Sequence, residues 1–245
     1  MLGWKLFVRA VTLLIENLGD ALRVSLLPYG VVIAISVWAA GTYGAGMVPG
    51  QEMTSEGAGA TLLVSVLNLV ATLWIAVAWH RYVLLGERPE GWLPPLRGGA
   101  VLAYLGRSVL IGLLVALIIM GVSIPLGLLV VVLPQAALLV GAIGFFIGMI
   151  VFYRLAVVLP AGAVDRPMSF GEAMAATRGH TDTVVMLALL TVGFTFLLQV
   201  PTLLEGDVGV ISAVYQGVVG WIGLMVGVST LTSLYGHLVE GRPVD

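Results

Sequence analysis

Six long apolar runs divide the chain, and polar residues collect in the short stretches between them. The runs cover residues 24–45, 60–80, 106–128, 133–154, 182–204 and 209–235. A helix needs about 20 mostly apolar residues to cross the hydrocarbon core of a bilayer. The pattern therefore predicts an all-α fold, a single integral membrane domain over residues 1–245 built as a bundle of six transmembrane helices.

The boundary between the third and fourth runs is the least marked, because residues 108–153 hold no charged side chain. A turn at Ser123–Pro125 or one at Leu133–Gln135 would separate the two runs. The interval from Arg107 to Arg154 fits two crossings joined by a short turn. This favours the neighbourhood of residues 129–135.

Basic residues occupy alternate connections between the runs. All 11 Lys and Arg residues follow this rule: Lys5, Arg9, Arg23, Arg81, Arg88, Arg97, Arg107, Arg154, Arg166, Arg178 and Arg242. The other connections hold only acids, which are Glu52, Glu56, Glu205 and Asp207. Basic residues in short loops stay on the cytoplasmic side. The distribution predicts that both termini are cytoplasmic, and we place the chain in a bacterial inner membrane.

Two segments outside the runs have amphipathic character. Residues 3–17 suit a helix that lies in the headgroup layer, and the alternative is that they extend the first transmembrane helix. In the connector 153–181, Pro160 is expected to end the fourth helix. Ser169 and Glu172 form a capping box, which predicts a short helix that Gly179 ends.

An Arg-Pro pair follows each even-numbered run, at nearly even spacing: Arg88-Pro89, Arg166-Pro167 and Arg242-Pro243. This predicts three hairpin pseudo-repeats over about 3–89, 93–167 and 169–243. Two glycine trios also match in offset, and these are Gly141, Gly144, Gly148 and Gly220, Gly223, Gly227. Small residues on one helix face allow close packing in lipid, either within the bundle or between two copies.

Little in the sequence points to catalysis. The composition is 60% hydrophobic and 10% charged, with no cysteine and a net charge of −2, which argues against a nucleic-acid partner. The interfacial histidines His80, His180 and His237 lack metal-ligand spacing. We therefore expect no cofactor, no metal and no enzyme, and an enzyme using these histidines is the least favoured hypothesis.

Polar residues give two further candidate sites. The amides Asn68, Gln199 and Gln216 fall in the outer half of the helices and would line a polar path in a transporter or channel, although such amides more often form interhelical hydrogen bonds. The cytoplasmic connectors carry a collar of arginines that would meet lipid or a protein partner. Its members are Arg88, Arg97, Arg154, Arg166 and Arg178.

The stretch from Arg154 to His180 resembles a pattern in YciC-like bacterial inner-membrane proteins and in the membrane domain fused to some glycerophosphodiester phosphodiesterases. The residues that carry the resemblance are Arg154, Pro160, Ala161, Ser169, Ala173, Thr177 and Gly179. It implies a six-helix membrane module without the phosphodiesterase activity. The leading hypothesis is a non-enzymatic module for membrane or envelope homeostasis that contacts the bilayer and a partner protein or a second copy of itself.

Overall fold

The computed structural model describes residues 1–43, 54–204 and 210–244, and in these ranges the chain is helical, without a β-strand. Nine α-helices lie in them: α1 (Leu2–Glu16), α2 (Leu18–Tyr43), α3 (Ser55–Leu85), α4 (Gly98–Val132), α5 (Ala137–Leu155), α6 (Val158–Ala163), α7 (Phe170–Ala176), α8 (Thr181–Leu204) and α9 (Val210–Leu238). Six segments are long and apolar enough to cross a membrane, namely α2, α3, α4, α5 with its continuation to Ala163, α8 and α9. The all-α prediction is confirmed for these residues.

Helix ends differ from the ends of the apolar runs, most clearly around the connection between α3 and α4. The second run stops at residue 80, but α3 continues to Leu85 and ends where Gly86 adopts a φ of 72°. The third run starts at residue 106, but α4 already begins at Gly98. Hydropathy marks the part of a helix that suits hydrocarbon, whereas the helix itself ends where its backbone is capped.

The turn between the third and fourth predicted spans lies at the second of its two candidate positions. Helix α4 passes through Pro125 without ending, and it stops at Val132. Leu133 and a 3-10 turn at Pro134–Ala136 then lead into α5. The prediction of a turn near residues 129–135 is confirmed.

Helix α1 is a separate element that packs against protein. Asn17 breaks it from α2, so it does not extend the first long helix. It lies between α8 and α9, with Leu6 and Ala10 completely buried. Its placement in the headgroup layer stays a prediction. Helices α8 and α9 contact each other less than α1 contacts either of them, and α1 covers the apolar surface that they leave open.

Helix α9 occupies the middle of the bundle and contacts α1, α2, α3, α6 and α8. Its Ser229, Thr230 and Thr232 side chains are buried. Trp79 Nε1 of α3 donates to Ser229 Oγ at 2.9 Å. Trp221 Nε1 donates to Ser25 Oγ of α2 at 2.7 Å. In a bilayer, an apolar side chain is as well accommodated by lipid as by another helix. Hydrogen bonds of this kind and tight packing therefore hold the helices together.

Close approach of helices is seen at three of the six glycines that the sequence singles out. A Cβ at Gly144 would lie 3.0 Å from Ser123 Oγ, and one at Gly148 would lie 2.6 Å from Ile119 Cδ1, both on α4. A Cβ at Gly220 would lie 2.5 Å from the Tyr29 hydroxyl on α2. Gly141, Gly223 and Gly227 have open space where a Cβ would stand. The packing interpretation is wrong for these three within one protomer, because matching offsets do not ensure that both faces meet a neighbour.

The connector between α5 and α8 differs from its predicted form in one respect. Helix α5 ends at Leu155 rather than at Pro160, and the chain re-forms as α6, whose residues are all buried. Pro160 stands in the first turn of α6, where its missing N–H is not needed. The capping box of Ser169 and Glu172 at the start of α7 is confirmed. The three-repeat arrangement stays a prediction.

Candidate functional site

Segments that carry the basic residues meet at one end of the bundle. Arg242 Nη2 in the C-terminal tail donates to Leu84 O at the end of α3 at 2.7 Å. Arg166 Nη1 in the α6–α7 connection donates to Glu240 Oε1 at 3.1 Å. The Tyr82 hydroxyl lies 2.9 Å from Asp20 Oδ2 at the start of α2. Four stretches that are far apart in sequence therefore form one polar surface.

Arg81 is the centre of this surface, and its residue is only 6% exposed. Its Nε and Nη2 donate to the two carboxylate oxygens of Glu87 at 2.9 and 2.7 Å. Its Nη1 donates to Ala163 O at 2.9 Å and to Asp165 Oδ2 at 2.6 Å. The planar guanidinium matches a carboxylate with two parallel bonds. Arg81 thereby joins the end of α3 to the end of α6.

Local backbone geometry brings the acids to Arg81. Gly86 in the left-handed region turns the chain back after α3, and this returns Glu87 to the helix end. Asp165 has a φ of 59° after α6. Asp is one of the few residues other than Gly that adopts this conformation without large strain. Neither turn depends on an apolar pattern, so periodicity alone gives no sign of it.

The Arg81–Glu87 pair makes stability sensitive to acid. The hydrogen bonds from Arg81 hold the pKa of Glu87 below its ordinary value. A group whose pKa is lowered on folding stabilises the folded state above its unfolded pKa, and this contribution is lost as the pH falls through the folded pKa. We expect the temperature midpoint of thermal unfolding to decrease as the pH is lowered below about 5. The decrease should be less steep in Glu87→Gln. Identical pH profiles from pH 7 to 3.5 for both proteins would contradict this.

A cavity of about 530 Å³ adjoins Arg81 beneath the loop between α3 and α4. Glu87, Arg88 and Arg97 line it, with Pro89, Pro94 and Pro95. Arg97 Nη2 donates to Glu87 Oε2 at 3.0 Å, so Glu87 is shared by two arginines. The charged groups of this cavity are largely paired with each other.

A second cavity of about 490 Å³ lies on the other side of Arg88. Helix α1, the ends of α3 and α9, and the C-terminal tail enclose it. Arg9, Arg88, Arg242 and His237 line it together with apolar side chains such as Leu6. No carboxylate is among its described lining residues.

The predicted collar arginines form groups rather than one ring. Arg88 and Arg97 line the same cavity, and Arg166 shares Glu240 with Arg242. Arg154 Nη2 donates to Thr181 Oγ1 at 2.6 Å, and Arg178 is exposed. Sequence reasoning missed Arg81 and Arg242 as organising residues. A signal was present for Arg242 in its Arg-Pro pair.

The amides predicted to line a polar path lie outside the three cavities described, and the path stays a prediction. Asn68 is exposed and accepts from Thr72 on its own helix at 3.1 Å. Gln216 Nε2 donates to Thr202 Oγ1 at 2.8 Å, which is the interhelical role. Neither these residues nor Gln199 line the two cavities above or a third of about 450 Å³ between α2 and α3.

The three histidines have different surroundings. His80 is fully buried, which corrects its interpretation as an interfacial side chain. Its Nδ1 lies 2.8 Å from Thr232 Oγ1, and its Nε2 lies 3.2 Å from the Tyr104 hydroxyl. Thr232 donates its own proton to Val228 O, so it accepts from Nδ1, and the ring links α3, α9 and α4.

The other two histidines lie apart from this network. His237 Nδ1 is 2.8 Å from Arg242 O, and His180 is partly buried beside α8. Among the described residues, no group of three His, Cys, Asp or Glu side chains could hold a metal ion.

Comparisons of the chain with protein-family models, with curated proteins and with solved structures found no match.

Proposed function

We propose that this chain is a non-enzymatic integral membrane protein that binds membrane lipid at its basic end, in support of membrane or envelope homeostasis. A protein partner or a second copy of the chain is the other occupant considered for that end. The observation that carries the proposal is the convergence of arginine-bearing segments around two cavities at the ends of long apolar helices, chiefly α3 and α9.

The basic end would face the cytoplasm of a bacterial cell, with both termini on that side. The support is the placement of every Lys and Arg in alternate connections. Glu56, at the start of α3, belongs to the opposite end, and Glu52, Glu205 and Asp207 lie outside the described residues. The resemblance to YciC-like proteins supports the same setting.

Electrostatics favours lipid as the occupant. Anionic lipids give the cytoplasmic leaflet a negative surface potential, and each nearby basic residue contributes about 1 kcal/mol of attraction. Exposed large apolar side chains cover much of α4, including Leu102, Leu113 and Leu117. They are expected where a helix faces hydrocarbon. Basic groups at the end of such helices would stand at headgroup level.

The test removes charge from the collar without altering the spans. We expect the Arg154→Gln, Arg166→Gln, Arg178→Gln triple variant to co-purify with severalfold less anionic phospholipid, quantified by mass spectrometry after mild detergent extraction. The matched control replaces the same three residues by Lys, which keeps the charge. Equal lipid in the Gln variant and the wild type would overturn a lipid-binding role for these three collar arginines.

The orientation is tested separately. Because the chain has no cysteine, single Cys reporters at Glu56 and Gly91 give an unambiguous labelling signal. An impermeant maleimide added to spheroplasts should label Glu56→Cys and leave Gly91→Cys unlabelled until the membrane is opened. The reverse result would place the basic end outside and remove the basis of the proposal.

A further inference from the structure

The cavity between α1, α3, α9 and the C-terminal tail has an unbalanced charge. Three arginines and one histidine line it, and its described lining residues include no carboxylate. The neighbouring cavity on the other side of Arg88 differs, because Glu87 and Glu90 line it together with its arginines. Among the described lining residues, the first cavity therefore has the larger excess of positive charge.

Within the described residues, the arginines of this cavity are incompletely neutralised. The nearest paired carboxylate of Arg9 is Glu16, at 4.0 Å. Arg242 pairs with Glu240 at 2.7 Å, but Arg166 shares that same carboxylate. Arg88 is exposed and lines both cavities. A surplus of positive charge therefore remains at the cavity wall.

The rest of the lining suits an amphiphile. Leu13, Val83 and Val244 supply apolar surface, while Asn17 and Ser233 supply hydrogen-bonding groups. The volume of about 490 Å³ falls in the range of about 300–1,000 Å³ that is usual for small-molecule sites. It is large enough for a headgroup with its phosphate.

The tail that closes the cavity is held in place by several bonds. Arg242 Nη1 and Nη2 donate to Val83 O and Leu84 O at 3.3 and 2.7 Å, where the last carbonyls of α3 lack helical partners. The backbone N–H of Arg242 donates to Gly236 O at 2.8 Å. The wall that carries Arg242 is thus fixed before any ligand arrives.

We propose that this cavity binds the phosphate group of an anionic membrane phospholipid through Arg9, Arg88 and Arg242. Arginine presents paired N–H donors that match two phosphate oxygens. The cavity lies at the ends of α3 and α9, which are both long enough to span a bilayer, so it would stand at the level of the lipid headgroups. The proposal rests on the proposed lipid-binding function and assigns it to one site, which includes Arg88 but no other arginine of the collar.

The test titrates dioleoyl-phosphatidylglycerol into delipidated protein and follows binding by native mass spectrometry. The variant Arg9→Gln, Arg88→Gln avoids Arg242, whose loss would also free the tail. Each arginine should contribute roughly fivefold to the affinity, so we expect the dissociation constant to rise about 25-fold. The control, Lys5→Gln with Arg23→Gln, removes two charges at the same end outside the cavity and should stay within about twofold of wild type.

Two further arms separate the possible outcomes. Inorganic phosphate titrated in lipid-free detergent distinguishes the source: binding of phosphate without binding of the phospholipid would keep the anion site but overturn its lipid ligand. Equal phospholipid affinity in the cavity variant and the wild type would overturn the site itself. If the cavity variant is unaffected while the collar Gln variant loses lipid, the proposed function stands and this site is wrong.

Discussion

Replacing Trp79 by alanine should lower the free energy of unfolding by about 3–5 kcal/mol. The Trp79 side chain is fully buried in the bundle, and its indole N–H donates to Ser229 on α9. Its ring stacks on Tyr82 with centroids 5.2 Å apart, and Tyr82 in turn lies within hydrogen-bond distance of Asn17 and Asp20. The loss therefore opens a cavity and loosens the junction of α1 and α2. Unfolding in mixed micelles by titration with dodecyl sulfate measures the change.

Three variants separate packing from hydrogen bonding at this position. Trp79→Phe keeps most of the ring and should cost about 1–2 kcal/mol, because it leaves Ser229 without its donor. Adding Ser229→Ala to Trp79→Phe should cost little more than Trp79→Phe alone. Trp92, which is 56% exposed in the loop after α3, supplies the control, and Trp92→Ala should change stability by less than about 0.5 kcal/mol. A Trp79→Ala cost as small as that of the control would contradict the described packing.

Replacing Arg81 by methionine should cost about 2–3 kcal/mol of stability. Removal of one partner of a buried ion pair costs about 3–5 kcal/mol, because the other charge stays buried. Here the side chains of Asp165 and Glu87 are 70% and 37% exposed, so both regain water and the cost is lower. Ala163 O also loses its donor. The same micelle titration, performed at pH 7, measures this change.

The fork geometry of Arg81 gives a graded comparison. Arg81→Lys retains the charge but cannot donate to both Glu87 oxygens and to Ala163 together, so it should fall between the wild type and Arg81→Met. Arg178→Met removes an exposed arginine from the same end and should change stability by less than about 0.5 kcal/mol. If the Lys variant is as stable as the wild type, the paired hydrogen bonds contribute nothing beyond charge.

Hydropathy was a sufficient guide to the number of long helices, because each one must fill the same thickness of hydrocarbon. It was a poor guide to which side of a helix is buried. On α4, Ile111 is buried, whereas its neighbours Leu110 and Leu113 are exposed. In a bilayer the lipid-facing side is as apolar as the core, so the contrast that reveals faces in a soluble protein is missing. For the same reason, the sequence could not show that Gly223 and Gly227 lie on a side of α9 with open space.

The placement of charged residues predicted more of the candidate site than hydropathy did. The alternate basic connections indicated which stretches would share one end, and Arg88 and Arg97 do line a common cavity. The hydrogen-bond partners of these arginines could not be predicted from the sequence. Arg81 bonds Asp165, more than 80 positions away, and Asp165 lies in a left-handed turn that no sequence pattern predicts. The same holds for His80, whose burial depends on Tyr104 and Thr232 of two other helices.

The position of α1 has a consequence for biogenesis. The ribosome makes this helix before α8 and α9, but the two surfaces that receive it belong to those two helices. A Cβ at Gly3 would lie 2.8 Å from Thr183 O of α8, so α1 approaches α8 too closely for a larger residue at this position. The docking of α1 therefore has to follow the synthesis of α8 and α9.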